Sequence, residues 1–175
     1  MTARTRSRGS DARIELLLEI LDQAFDRRGW HGTTLRGSLR GVTPAEALWR
    51  PARGRHNIWE LTVHAAYWKY AVRRRITGET RGSFPYPGSN WFARPDAGDA
   101  KELAADLKLL KSCHRELRAA VAALDPRRLG ERVKTKGWTL AETIAGAAAH
   151  DLSHAGQISL LKRLHADRRG RPSGG

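Results

Sequence analysis

Apolar residues recur along this chain three and four positions apart, the period that lines one face of a helix. Ile14, Leu17, Leu18, Leu21 and Phe25 form the first such stripe and predict a helix over about 12–27, ended by Gly29. Ile58, Leu61, Ala65, Trp68 and Val72 predict a second over about 57–76. Leu103, Leu107, Leu110, His114, Leu117, Val121 and Leu124 predict a third over about 99–124, and Pro126 stops it. Their alternating four-three spacing is that of a helix packed nearly parallel to its neighbours. The fourth, about 139–166, is rich in alanine and apolar on most sides, so it is expected to be the most buried. Ala145, Gly146, Ala147, Ala148 and Ala149 are small enough to let another helix approach closely.

The helix starts are marked as well. A Ser, Thr, Asp or Asn followed three residues later by Glu lets the two side chains each take one orphan amide of the first turn. Thr43/Glu46, Asn57/Glu60, Asp99/Glu102 and Thr139/Glu142 have this form, and Pro44 follows Thr43 at the first helical position. Asp11, with Glu15 behind it, opens the first long helix, and Thr43 opens a short one reaching Leu48. No alternating strand pattern of any length occurs. Four long helices without strands predict an all-α fold, an up-down four-helix bundle with a long loop between the second and third. That loop, 77–98, holds Pro85, Pro87 and Pro95 and is too broken for regular helix. Its Phe84, Tyr86, Trp91 and Phe92 give it apolar surface with which to pack as a lid.

Composition adds bounds. A chain of 175 residues fits one domain with a real core, and it has no apolar run long enough to span a membrane. Cys113 is the single cysteine, which fits a reducing cytoplasm and excludes an internal disulfide. The net charge is +14. Residues 1–10 and 168–175 are expected to be disordered basic ends around a bundle at 11–167, because their Arg, Ser and Gly content buries nothing. Arg4, Arg6, Arg8, Arg168, Arg169 and Arg171 account for six of the charges, leaving +8 for residues 10–167. No basic stripe interleaved with aromatics appears, so a solvated arginine-rich surface is the reading, with nucleic-acid association through the ends as a remote alternative.

The histidines carry the candidate chemistry. His150 and His154 are four apart and share a face with Ala147, Ile158 and Leu161, which is a core face. His64 lies on the inward seam of the second helix, between Leu61 and Trp68. Three imidazoles entering one interior either bind a metal or form a hydrogen-bonded polar core, and spacing alone leaves both open.

A resemblance bears on the choice. Leu48-Trp-Arg-Pro51, Asn57-Ile-Trp-Glu-Leu-Thr-Val-His64 with Trp68 beyond it, and His150-Asp-Leu-Ser-His-Ala-Gly-Gln-Ile158 resemble the DinB/YfiT-like family of metal-binding four-helix bundles over nearly all of 12–166. The resemblance implies one divalent transition metal (zinc, nickel or iron) on His64, His150 and His154. Members often read His-His-Arg-Gly-Gln around the last ligand, whereas Ser153 and Ala155 flank His154 here. It also implies candidate activities: transfer of a low-molecular-weight thiol to a small electrophile, with a metal-dependent hydrolase or a non-catalytic binding module as alternatives. Homodimers are common among such proteins.

Other residues belong at the edge of this site. Trp68, one turn from His64, is a packing residue or a pocket wall. His114 is a half-buried core histidine, a fourth ligand or a partner to one. Asp151 anchors a ring nitrogen or is solvated, and Gln157 orients a ligand or closes the site. His150-Asp-Leu-Ser-His154 is also the zinc-protease pattern with Asp for Glu, one methylene short, and it lacks a convincing downstream ligand. Cys113 and His114 are neighbours on a helix and make no nucleophile–base pair. His31, His56 and His165 are expected to face solvent, and the six tryptophans to be mostly core and loop anchors.

Overall fold

A computed structural model of the chain describes residues 11–30, 32–94, 97–132 and 137–170. The basic head, most of the basic tail, His31 and Pro95 therefore lie outside the described residues. Six α-helices are described: α1 (Ala12–Phe25), α2 (Leu35–Ser38), α3 (Pro44–Leu48), α4 (Ile58–Thr77), α5 (Ala100–Ala122) and α6 (Leu140–Gly170). A 3-10 turn, Pro126–Gly130, follows α5, and no strand occurs among the described residues beyond one isolated bridge between Arg132 and Thr139. The fold is all-α.

The caps act as their spacing predicts. Asn57 and Glu60 on α4, and Asp99 and Glu102 on α5, form complete reciprocal boxes. The Thr139 amide donates to Glu142, whose own amide donates to the Thr139 hydroxyl. Gly78 ends α4 in the left-handed conformation, at φ 73°, where a residue without Cβ carries no penalty. Two short elements, α2 and the 3-10 turn Pro126–Gly130, escape the sequence pattern. The four-residue α2 is held by the Thr34 hydroxyl at its start and by Lys162 of α6, whose amino group donates to the Ser38 and Arg40 carbonyls.

The core divides in two. One apolar cluster runs from Phe25 through Ile58, Trp59, Leu61 and Leu110 to Ile158 and Leu161. The other holds Ile14, Leu17, Leu21, Val72, Leu117, Val121, Ile144 and Ala148. Each long helix crosses from one to the other, and at each crossing it places a buried polar residue: Asp22 on α1, Lys69 on α4, His114 on α5 and Asp151 on α6. These pair with one another or with a neighbour. The Lys69 ammonium donates to the Asp151 carboxylate and sits 4.8 Å from the Phe25 ring centre. Arg118 reaches Asp22 at 2.9 Å from α5. Charges this deep persist only when paired, so the layer fixes how the helices register.

One expectation is corrected. α6 is not the most buried helix: Leu152, Leu160 and Leu164 stand exposed along it, whereas α4 has twelve buried residues among its twenty. A helix at the edge of so small a molecule keeps one face toward water, whatever its composition. Most tryptophans are anchors, as expected: Trp49 and Trp68 are half-buried, and Trp91 stacks on two imidazoles. Trp59 is fully buried, but Trp30 and Trp138 are exposed, because both lie in connecting segments rather than on a helix stripe.

The segment after α4 is fastened to the helices. Asp106, buried on α5, accepts from Trp59 Nε1 of α4 at 2.6 Å and from the Tyr86 hydroxyl, and pairs with Arg94 at 2.7 Å. Phe84 and Phe92 are buried against Tyr67, with ring centres 5.4 and 5.3 Å from it. Phe84 and Phe92 therefore pack this segment onto the helices, and the Arg94–Asp106 ion pair ties it to α5.

Candidate metal centre

α4 brings His64, and α6 brings His150 and His154, to one point. Nε2 of His64 and Nε2 of His154 each lie 3.0 Å from Nε2 of His150. The three ligand atoms lie within 4.8 Å of one another, a grouping able to hold a metal ion. His64 and His154 are buried and His150 is half-buried. His150 and His154 are one turn apart on α6, which sets their rings at 88° with centres 4.2 Å apart.

Hydrogen bonds on the far edges of two rings decide what the inner nitrogens can do. Nδ1 of His64 lies 2.6 Å from the backbone oxygen of Asn90. A carbonyl only accepts, so Nδ1 carries the proton and Nε2 is left with a lone pair. Nδ1 of His154 donates in the same way to Oε1 of Gln157 at 2.7 Å. Two lone pairs thus face His150 Nε2, and a single proton there cannot serve both. A cation can. Nitrogens bound tetrahedrally at about 2.1 Å would stand about 3.4 Å apart, near the 3.0 Å that separates His150 Nε2 from each of the other two. The donor set fits a divalent transition metal, with Nε2 of each ring toward the ion.

Electrostatics keep these nitrogens available. Burial pushes the His64 pKa down to about 4, helped by the charges of His154 and His56 and opposed by the bond to Asn90. Burial likewise pushes His150 down to about 3, with His154, His64 and Lys69 adding to it. His154 is lowered by burial as well, against the pull of Gln157. All three rings are neutral at physiological pH, the form that binds metal.

The walls are aromatic. Trp91 lies flat between two imidazoles, stacked on His56 at 3.5 Å and on His64 at 3.8 Å. Trp68 stands edge-on to His64 at 6.4 Å, and its Nε1 donates to the Asn90 side chain at 2.9 Å. His56 Nδ1 also donates at 3.2 Å to Glu60, which Arg50 grips with both guanidinium arms at 2.6 and 2.7 Å.

The remaining sequence candidates fall into different places. Gln157 touches His154 directly. His114 is outside the cluster: its ring stacks on Phe25 at 3.8 Å, and its Nε2 lies 3.7 Å from Asp22. Asp151, next to His150 in sequence, turns the other way and meets Lys69 rather than a ring nitrogen. His165 packs near Trp49, with centres 5.4 Å apart. Sequence reasoning missed Asn90, Lys69 and Asp106. Lys69 and Asp106 did carry a signal, a lone charge on an otherwise apolar stripe (Ala65–Lys69–Val72 and Leu103–Asp106–Leu110). Asn90 carried none, because only folding brings it to His64.

The family model for the DinB superfamily matches residues 26–158, about three quarters of the chain and inclusive of all three histidines. The chain belongs to the DinB superfamily. No curated protein matches it.

Proposed function

We propose, from this membership and from the convergence of the three imidazoles, that the chain binds one divalent ion through His64, His150 and His154 and acts with it on a small molecule. Zinc, nickel and iron all suit an all-imidazole set. The observation that carries the reading is the pair of Nε2 lone pairs, fixed by Asn90 and Gln157, that meet at His150. On this reading the four long helices, α1, α4, α5 and α6, form an up-down bundle around the site.

Three protein ligands leave coordination positions open, as catalytic sites do. The bound ion supplies Lewis acidity, able to bring a thiol or a polarised electrophile to the reaction. The favoured activity is transfer of a low-molecular-weight thiol to a small electrophile. Asn90 and Gln157 hold the ligand rings, and Trp68 and Trp91 wall the site against water. Asp151 is held by Lys69 away from the histidines, which supports thiol transfer over hydrolysis of the zinc-protease kind, where an acid in that motif must serve as base. A second copy is the proposed macromolecular partner, on the α6 face where Leu152, Leu160 and Leu164 are exposed. No described helix is long and apolar enough to cross a membrane, and a reducing cytoplasm suits the buried, unpaired Cys113.

Elemental analysis of untagged protein tests the centre: about one metal per chain, lost in His64→Ala and in His154→Ala. Thiol consumption with a panel of small electrophiles, before and after chelation, tests the activity. Ester or amide turnover restored by metal without thiol would favour the hydrolase. Metal without either turnover would leave a binding module.

A further inference from the structure

Asn90 is the only described non-glycine residue with positive φ, at 66°. The Trp91 amide donates to the Ser89 carbonyl at 2.8 Å, closing a three-residue ring around it. A two-residue hydrogen bond across a residue of positive φ is the rarer form of the γ-turn, and the more strained. Asparagine tolerates that conformation better than most side chains, yet it still costs energy. Strain of this kind persists where the surroundings over-determine it.

Here two consecutive residues of the turn bear on one ring. The Asn90 carbonyl accepts from His64 Nδ1 at 2.6 Å. The Asn90 side-chain oxygen accepts from Trp68 Nε1 at 2.9 Å, which ties the turn to the helical turn after His64. The next residue, Trp91, lies on the face of His64 at 3.8 Å and 8°. His64 is thereby held on its outer edge and on one face by two consecutive residues of a connecting segment. No other described element donates or accepts at its outer nitrogen.

We infer that the γ-turn at Asn90 is the positioning device of the centre: by setting the tautomer and tilt of His64, it sets metal affinity and ties metal loading to closure of the segment after α4. The inference rests on the metal-centre reading above. An imidazole with its Nδ1 proton fixed to a carbonyl presents Nε2 without a tautomer penalty, and such outer partners are worth roughly 10–100-fold in metal affinity. Coupling of this sort is reciprocal, so metal stabilises the turn by the factor by which the turn favours metal.

The test uses the full chain and two variants that separate backbone from side chain. Asn90→Val disfavours positive φ and removes the link to Trp68. Asn90→Gly removes the link but enters positive φ freely. Co2+ binding is followed by visible absorption, and zinc affinity by competition. Asn90→Val is expected to bind about 10–100-fold more weakly with an altered cobalt spectrum, and Asn90→Gly to keep the wild-type spectrum and most of the affinity. Zinc is expected to slow hydrogen exchange at the Trp91 amide in the wild type. If circular dichroism shows that the valine variant does not fold, Asn90→Ala takes its place, since alanine also avoids this φ. A cobalt-binding wild type with an equally tight valine or alanine variant overturns the inference and leaves the centre standing. A glycine variant as weak as valine also overturns it, by assigning the effect to the Trp68 link. A wild type that binds no cobalt removes the centre, and the inference with it.

Discussion

Lys69 of α4 and Asp151 of α6 are each 1 % exposed and pair with one another in the polar layer that splits the core. Asp151 Oδ1 finds no hydrogen-bond partner among the described residues, which leaves Lys69 as the charge described against that carboxylate. Removing one member of such a pair strands the other charge away from water. Lys69→Met is therefore expected to cost about 3–5 kcal/mol in urea unfolding, and Lys69→Met with Asp151→Leu to recover most of it. A single variant within about 1 kcal/mol of wild type would mean that water reaches the pair.

Gln157 is expected to matter to metal and little to folding. It is exposed, and among the described residues its side chain bonds Nδ1 of His154. Gln157→Ala should weaken zinc binding by about tenfold while leaving metal-free thermal unfolding unchanged. Unaltered zinc affinity by competition titration would show that His154 needs no outside partner.

His114 should make stability depend on acid. Burial holds its pKa down to about 3 in the folded chain, against 6.5 when exposed. Between those values the unfolded chain takes up a proton that the folded chain refuses, so stability is full above pH 6.5 and falls as pH drops toward 3. From pH 7.5 to pH 5, His114→Leu is expected to lose up to about 2 kcal/mol less than wild type, read by urea unfolding at both values. The metal-free site histidines act in the same direction, so the variant reduces the slope without abolishing it. Parallel losses in both proteins would mean His114 is protonated when folded.

Gly98 sits where α5 begins, against the fully buried ring of Trp59. A Cβ there would overlap the far edge of that ring, and Trp59 is held by Asp106 and cannot swing aside. Gly98→Ala is expected to destabilise the protein by about 1–3 kcal/mol in thermal or urea melts, although its φ is ordinary for alanine. Wild-type stability would show that the indole gives way.

The sequence alone determined what is local and periodic. Helix starts were legible at Asp11, Thr43, Asn57, Asp99 and Thr139 because a cap and its partner lie within four residues of each other. The apolar stripes were legible because 3.6 residues per turn puts them on one face. His150 and His154 could be placed together for the same reason. Spacing turned His64 inward, but that it meets His150, 86 residues away, was suggested by a family pattern.

Tertiary structure decided the rest, because it concerns which groups face each other across helices. Asp151 could have turned to a ring nitrogen or to solvent, and it is the lysine on α4 that claims it. His114 could have joined the site, but its place on α5 points it at Phe25 and Asp22. Asn90 carried no mark in a proline-rich stretch, since its function depends on a carbonyl, a group every residue has. A backbone oxygen becomes particular only when the chain folds it against His64, and that contact is written in no local pattern.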